Sequence, residues 1–179
     1  MLEAKKCCLV MVDIQEKLLR VTQDSEQVVK NCRVLIQIAK ALDIPILWCQ
    51  QYPKALGLTV ASLAELLQGY SPIDKLSFSC CGAPDFARQL ETLDIEAAVL
   101  CGTESHVCVF QTAMDILHQG LKVHVIADAV GSRTQENKQI GLSRMVSSGA
   151  IISSTEMFLF ELLRTAEHPK FKELASLIR

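Results

Sequence analysis

The chain has 179 residues, half of them hydrophobic and 21% charged, with a formal net charge of −2. This length suits one domain, expected over residues 1–179, with a core of its own, and the composition excludes disordered and fibrous classes. Lys and Arg are scattered, with no run longer than Lys5-Lys6, which argues against nucleic acid or an anionic membrane surface as a partner.

In chain order, Cys7–Val12 is apolar on both faces, as a central parallel strand should be. It is too short to be the core of a signal peptide, and Asp13 ends it at once. Residues 25–42 read as a helix capped by Asp24 or Ser25, because Val28, Cys32, Leu35, Ile36 and Ala39 recur at helical spacing. A turn at Asp43-Ile44-Pro45 leads into a second buried strand over 46–49. Residues 52–57 read as a loop, 62–67 as a short helix, 75–78 as a brief strand and 84–93 as a helix. A third clear strand covers 97–102 and a fourth 123–127. Between them Val107, Phe110, Ala113, Met114 and Leu117 trace one helical face that ends near Gly120. A helix over 136–148, a short strand at 151–152 and a helical tail complete the chain.

Alternating helices with near-continuous apolar strands imply a parallel sheet covered on both faces. Such sheets carry their sites beyond the strand C-termini, where strand order reverses. No stretch reaches the roughly 18–20 apolar residues that span a bilayer, and a cytoplasmic location is expected. Eight cysteines are present without a Cys-x-x-Cys, so zinc-ribbon and thioredoxin-type readings are weak. A domain of this size needs no disulfide framework, and most of these thiols read as small buried hydrophobes.

Three residues stand where such a site would form. Asp13 follows the first strand, Lys75 sits at the brief strand, and Cys108 opens the helix after the third clear strand. Taken singly, an Asp here serves as a turn or cap residue, a Lys as a surface charge and a Cys as packing. Their order changes the reading. Val12-Asp13-Ile14-Gln15, Asp74-Lys75, the run from Gly102 to Val109, Thr112-Ala113-x-Asp115, Gly120-Leu121-Lys122-Val123 and Ala127-Asp128-Ala129 together resemble the isochorismatase-like (nicotinamidase-related) hydrolases. The resemblance covers almost the whole chain. It implies an α/β fold, a three-layer αβα sandwich with a six-stranded parallel sheet, and an Asp-Lys-Cys catalytic group: Asp13 as base, Lys75 as charged partner, Cys108 as nucleophile. Physical chemistry supports these roles, since a helix N-terminus and a nearby ammonium both favour a thiolate.

Two departures narrow the chemistry. Metal-dependent nicotinamidases carry an Asp-x-His pair and a further His after the second strand, whereas 50–57 here hold neither His nor acid. No metal and no cofactor is therefore expected. True isochorismatases cleave a vinyl ether and lack the nucleophilic cysteine, so Cys108 favours attack on a small carboxamide or similar carbonyl. Gln51-Tyr52-Pro53-Lys54-x-x-Gly57 and the run from His168 to Glu173 resemble the isochorismatase-domain-containing subgroup. Gln51 and Tyr52 either line the substrate pocket or hold a loop; Glu104 and His106 either shape the pocket or form an exposed first turn. His106 is not a Cys-His partner, because residues two apart on a helix face different ways. Ether hydrolysis through Asp13 and a binding or regulatory role are the competing functions. A redox role is weaker, because spacing reveals no resolving pair. The resemblance also implies a homo-oligomer, dimer or larger, acting on a small molecule.

Overall fold

The computed structural model describes residues 1–178; Arg179, the last residue of the expected 1–179 domain, lies outside them. After a 3-10 turn at Ala4–Lys6 the elements run β1 (Cys7–Val12), α1 (Glu16–Leu19), α2 (Ser25–Ala41), β2 (Ile46–Gln51), α3 (Pro53–Leu56), α4 (Ala61–Ala64) and β3 (Ile73–Lys75). They continue as α5 (Pro84–Thr92), β4 (Ala97–Thr103), α6 (Cys108–His118), β5 (Lys122–Gly131), α7 (Gln135–Ser147), β6 (Ile151–Ser153), α8 (Thr155–Leu163) and α9 (Phe171–Ala175). The six strands form one all-parallel sheet in the order β3-β2-β1-β4-β5-β6. This is the αβα architecture implied by the sequence.

The apolar strands are apolar because both faces are covered. Along β1, Cys7, Leu9 and Met11 enter one core with α2 and α8, while Cys8, Val10 and Val12 enter the other with α5 and α6. The helices pack by stripes: α2 buries Val28, Cys32, Leu35, Ile36 and Ala39, and α6 buries Cys108, Val109, Thr112, Ala113 and Ile116.

Two local readings of the sequence need correction. Residues 53–56 form a helical turn rather than plain loop, with Pro53 at its first position, where a missing N–H is harmless. The brief strand lies at 73–75, not 75–78. Leu76 and Phe78 are exposed despite their hydrophobicity, and residues 76–79 instead form a strap that leaves the sheet. No helix among the described residues is long and apolar enough to cross a membrane.

Strand order reverses between β1 and β4, the position at which open α/β sheets bind ligands. Gly102 lets the two strands close there. A Cβ at this position, whose φ is +119°, would lie 1.9 Å from the Val12 carbonyl oxygen, so only glycine fits.

Candidate active site

Asp13 leaves the end of β1 in the left-handed conformation, with φ 49°. Its backbone is pinned to both neighbouring strands: its N–H donates to the Cys49 carbonyl at 3.2 Å, and Thr103 Oγ1 donates to its carbonyl at 2.6 Å. The carboxylate is thereby fixed in the crevice between β2 and β4.

Lys75, the last residue of β3, reaches past β2 to meet it. Its ammonium donates to Asp13 Oδ2 at 2.7 Å, Gln51 Oε1 at 2.7 Å, the Phe78 carbonyl at 2.9 Å and the Ser77 carbonyl at 3.3 Å. Both side chains of the ion pair are wholly excluded from solvent. A buried ammonium requires this many acceptors to offset its lost hydration. Asp13 Oδ1, by contrast, is buried with no hydrogen-bond partner among the described residues.

Cys108 is the first residue of α6 and is 6% exposed. Its thiol and the Asp13 carboxyl interact directly, each shifting the other's proton affinity, without completing a well-formed hydrogen bond to Oδ1. The loop before α6 is held on β5: Ser105 donates through both its N–H and its hydroxyl to the Gly131 carbonyl, each at 2.8 Å. The Val107 and Val109 N–H groups turn back onto the Glu104 carbonyl. The Cys108 N–H has no such partner among the described residues, as expected in a first helical turn.

The electrostatics differ from the sequence expectation at one point. A lowered thiol pKa is expected at a helix start beside a lysine. Instead burial, reinforced by the Asp13 charge and opposed by Lys75, pushes the Cys108 thiol up to about 12. Desolvation of the anion outweighs the ammonium, which is already committed to Asp13. Burial also raises Asp13, against the pull of Lys75. For Lys75 burial is the largest single influence and pulls down, but Asp13 together with Cys80 and Cys108 holds the ammonium above its ordinary value. The resting centre is therefore a protonated thiol beside an ion pair.

The four expected pocket residues divide. Gln51 supports Lys75: its Oε1 accepts from the ammonium and its Nε2 donates to the Leu76 carbonyl at 2.8 Å. Tyr52 is exposed and lines a cavity of about 180 Å³ with Pro53, Lys54, Asp74, Lys75 and Leu76, on the outer side of Lys75. Glu104 pairs with Arg133 at 2.8 Å, and His106 Nδ1 lies 3.0 Å from Ser132 Oγ. A residue without an assigned role in the sequence proves central to the support. Gln15 is fully buried, accepts from the Gln51 N–H at 2.7 Å, and donates to the carbonyls of Gln51 at 2.9 Å and Gly57 at 2.6 Å. Its place in the Val12-Asp13-Ile14-Gln15 motif, two residues after Asp13, was the available signal.

A second cavity of about 180 Å³, lined in part by Lys6, Glu96, Lys122 and His124, lies at the opposite edge of the sheet, away from these groups. Among the described residues no cluster of three His, Cys, Asp or Glu side chains has the geometry to hold a metal.

Comparison with known proteins agrees with this architecture. The family model described as Isochorismatase domain matches residues 7–157. The chain belongs to the isochorismatase-domain family. Among family relatives, isochorismatase domain-containing protein 2A of Mus musculus is 38% identical over 172 residues, covering 96% of this chain and 82% of that one. Isochorismatase domain-containing protein 2 of Xenopus laevis is 40% identical, covering 95% and 82%. A structure described as MAR1 ribonuclease from Caenorhabditis elegans matches at 38% identity with a TM-score of 0.93, covering 99% of this chain and 91% of that one. The YcaC gene product of Escherichia coli, described as an octameric hydrolase of unknown specificity, has a TM-score of 0.93 at 22% identity, covering 99% and 88%. This last likeness is one of fold.

Proposed function

We propose that this isochorismatase-domain protein is a cysteine hydrolase that cleaves a small carboxamide C–N bond, with Cys108 as nucleophile, Asp13 as base and Lys75 as the group that keeps Asp13 ionised and in place. The observation that carries this reading is the Asp13 carboxyl in direct interaction with the Cys108 thiol, with Oδ1 unpartnered and Oδ2 held at 2.7 Å by a buried ammonium. A carboxylate with one oxygen fixed and one open is arranged to accept a proton.

The thiol does not need to ionise in the free enzyme. As Cys108 Sγ attacks the carbonyl carbon, its proton passes to Asp13 Oδ1, whose affinity burial has raised. The oxyanion that forms meets the Cys108 N–H at the positive end of α6. Asp13 returns the proton to the departing amine, the C–N bond breaks and a thioester remains. Water, deprotonated by Asp13, then attacks the thioester and releases the acid. Lys75 stays protonated throughout and needs no exchange with solvent.

The designation of the C. elegans relative as a ribonuclease makes RNA the contrasting substrate. A phosphodiester anion has little to meet here, because the Lys75 ammonium is committed to four oxygens and the chain is net acidic. Self-association as a homo-oligomer belongs to the same reading and is measured by light scattering. The deciding experiment is a screen of small amides with Cys108→Ala as control, with intact-mass detection of an acyl adduct on Cys108. Turnover that survives Cys108→Ala but not Asp13→Asn would move the assignment to ether-type hydrolysis.

A further inference from the structure

Three thiols converge at this centre although they are far apart in sequence. Cys49, Cys80 and Cys108 share one apolar cluster on the α5/α6 side of the sheet. The N–H of Cys80 donates to Thr112 Oγ1 at 2.9 Å. Thr112 lies four residues after Cys108 on α6, hence on the same face and about 6 Å further along the axis. Cys80 is therefore seated one helical turn from the nucleophile. On its other side is Cys49 of β2, whose carbonyl accepts the Asp13 N–H. The Cys49 and Cys80 thiols interact directly, and that contact, ahead of burial, raises Cys49 well above the ordinary thiol range. Cys80 follows the strap whose carbonyls at 77 and 78 hold Lys75.

Accessibility within this row is graded. Cys49 and Cys80 are fully buried, and Cys108 alone has exposed surface. A small oxidant entering by the substrate route meets Cys108 first.

We propose that Cys108, Cys80 and Cys49 form a thiol relay that converts a hydroperoxide hit on the nucleophile into a buried Cys49–Cys80 disulfide. In the first step Cys108 sulfur attacks one peroxide oxygen, the O–O bond breaks, and the thiol proton leaves with the other oxygen by way of Asp13. The products are a sulfenic acid and water. Next the Cys80 thiol attacks the sulfenic sulfur, giving a Cys80–Cys108 disulfide and a second water. Finally the Cys49 thiol attacks the Cys80 sulfur, and Cys108 departs as a thiol. The sum is two thiols and one hydrogen peroxide giving one disulfide and two waters. Cys108 is restored, and oxidation to the irreversible sulfinic and sulfonic states is avoided. The relay rests on Cys108 being the accessible nucleophile, and its resolving partner comes from 28 and 59 residues away, beyond the reach of motif spacing.

The test treats the full chain with hydrogen peroxide at near-neutral pH, alkylates the remaining thiols, and maps disulfide-linked peptides without reduction. Wild type should yield a Cys49–Cys80 linkage that dithiothreitol reverses. Cys108→Ser should lower that linkage about tenfold or more, and Cys49→Ser should stop the relay at Cys80–Cys108. Circular dichroism checks that both variants fold. Finding Cys108 advanced to sulfinic acid with Cys49 and Cys80 still free overturns the relay. So does a linkage undiminished in Cys108→Ser, or one made to Cys81 instead. Iodoacetamide labelling of the untreated sample separates the failures: if Cys108 resists it, the nucleophile reading fails, and if Cys108 is labelled but no linkage forms, only the relay fails.

Discussion

Replacing Lys75 with Met removes a charge from a pair whose side chains are wholly excluded from solvent. The side chain is nearly isosteric, so the change isolates the ammonium. Asp13 would be left as an uncompensated buried carboxylate, and Gln51 Oε1 and two carbonyls would lose their donor. Breaking one side of a buried ion pair costs about 3–5 kcal/mol. For a chain of this size each kcal/mol moves the melting temperature by roughly 3 °C, giving a fall of about 9–15 °C. The effect has a pH signature. Without Lys75 the burial that raises Asp13 loses its largest opponent, so its carboxyl pKa in the fold rises further above the unfolded value of about 3.9. Stability from such a group is fully present below the unfolded pKa and lost as pH rises through the folded one. The deficit of Lys75→Met relative to wild type should therefore shrink on going from pH 8 to pH 5. Thermal melts across that range, with Asp13→Asn and the double variant, complete a mutant cycle in which the double variant loses less than the sum of the singles. A Lys75→Met melt within 2 °C of wild type at pH 8, or strict additivity, would show that the pair is not electrostatically coupled.

Thiol reactivity tests the proton-transfer argument. Cys81 is the most exposed of the eight thiols and is pushed up to about 11 by burial, against about 12 for Cys108. Limiting iodoacetamide, itself a carboxamide, should nevertheless label Cys108 first, because Asp13 accepts the proton during attack, and Asp13→Asn should reverse that order; peptide mapping with Cys81 leading in wild type would refute it. Gln15→Leu leaves the Gln51 amide and two carbonyls without partners, and denaturant melts should show a loss of about 2–4 kcal/mol; a loss under about 0.5 kcal/mol would refute that supporting role. Gly102→Ala forces a methyl group against the Val12 carbonyl and should abolish soluble expression or cooperative unfolding. Any amidase activity found should survive prolonged incubation with EDTA, and stoichiometric zinc or iron by elemental analysis would count against that expectation.

The parts legible in the sequence were those set by burial on both sides. Cys7–Val12 read correctly because every residue in it is enclosed, and the positions just past the strands then located Asp13 and Cys108. β3 was misplaced because three residues with an exposed centre, Asp74, carry no pattern, while exposed Leu76 and Phe78 mimic one. Gln51 could be placed just past the second buried strand but not as a partner of Lys75, since that contact depends on which strand pairs beside β2 and in what register. The direction of the Cys108 shift was misjudged for a related reason. Helix start and lysine can both be read from sequence, but the desolvation that overrides them exists only once the crevice closes.

The reach of Lys75 across β2 has a mechanical consequence. β3 is the outermost strand on its side and pairs with β2 over only three residues, too few to resist fraying or pairing with another chain. Its last side chain is bolted, through Asp13, to the sheet's central strand. The ion pair thus acts as a crosslink spanning three strands, and edge detachment and loss of the Asp13–Lys75 pair become a single event. Amide hydrogens of Ile73–Lys75 should accordingly exchange on the same timescale as the ion pair opens, well ahead of β1. The protein would then fail by unzipping from this margin while the rest of its sheet stays folded.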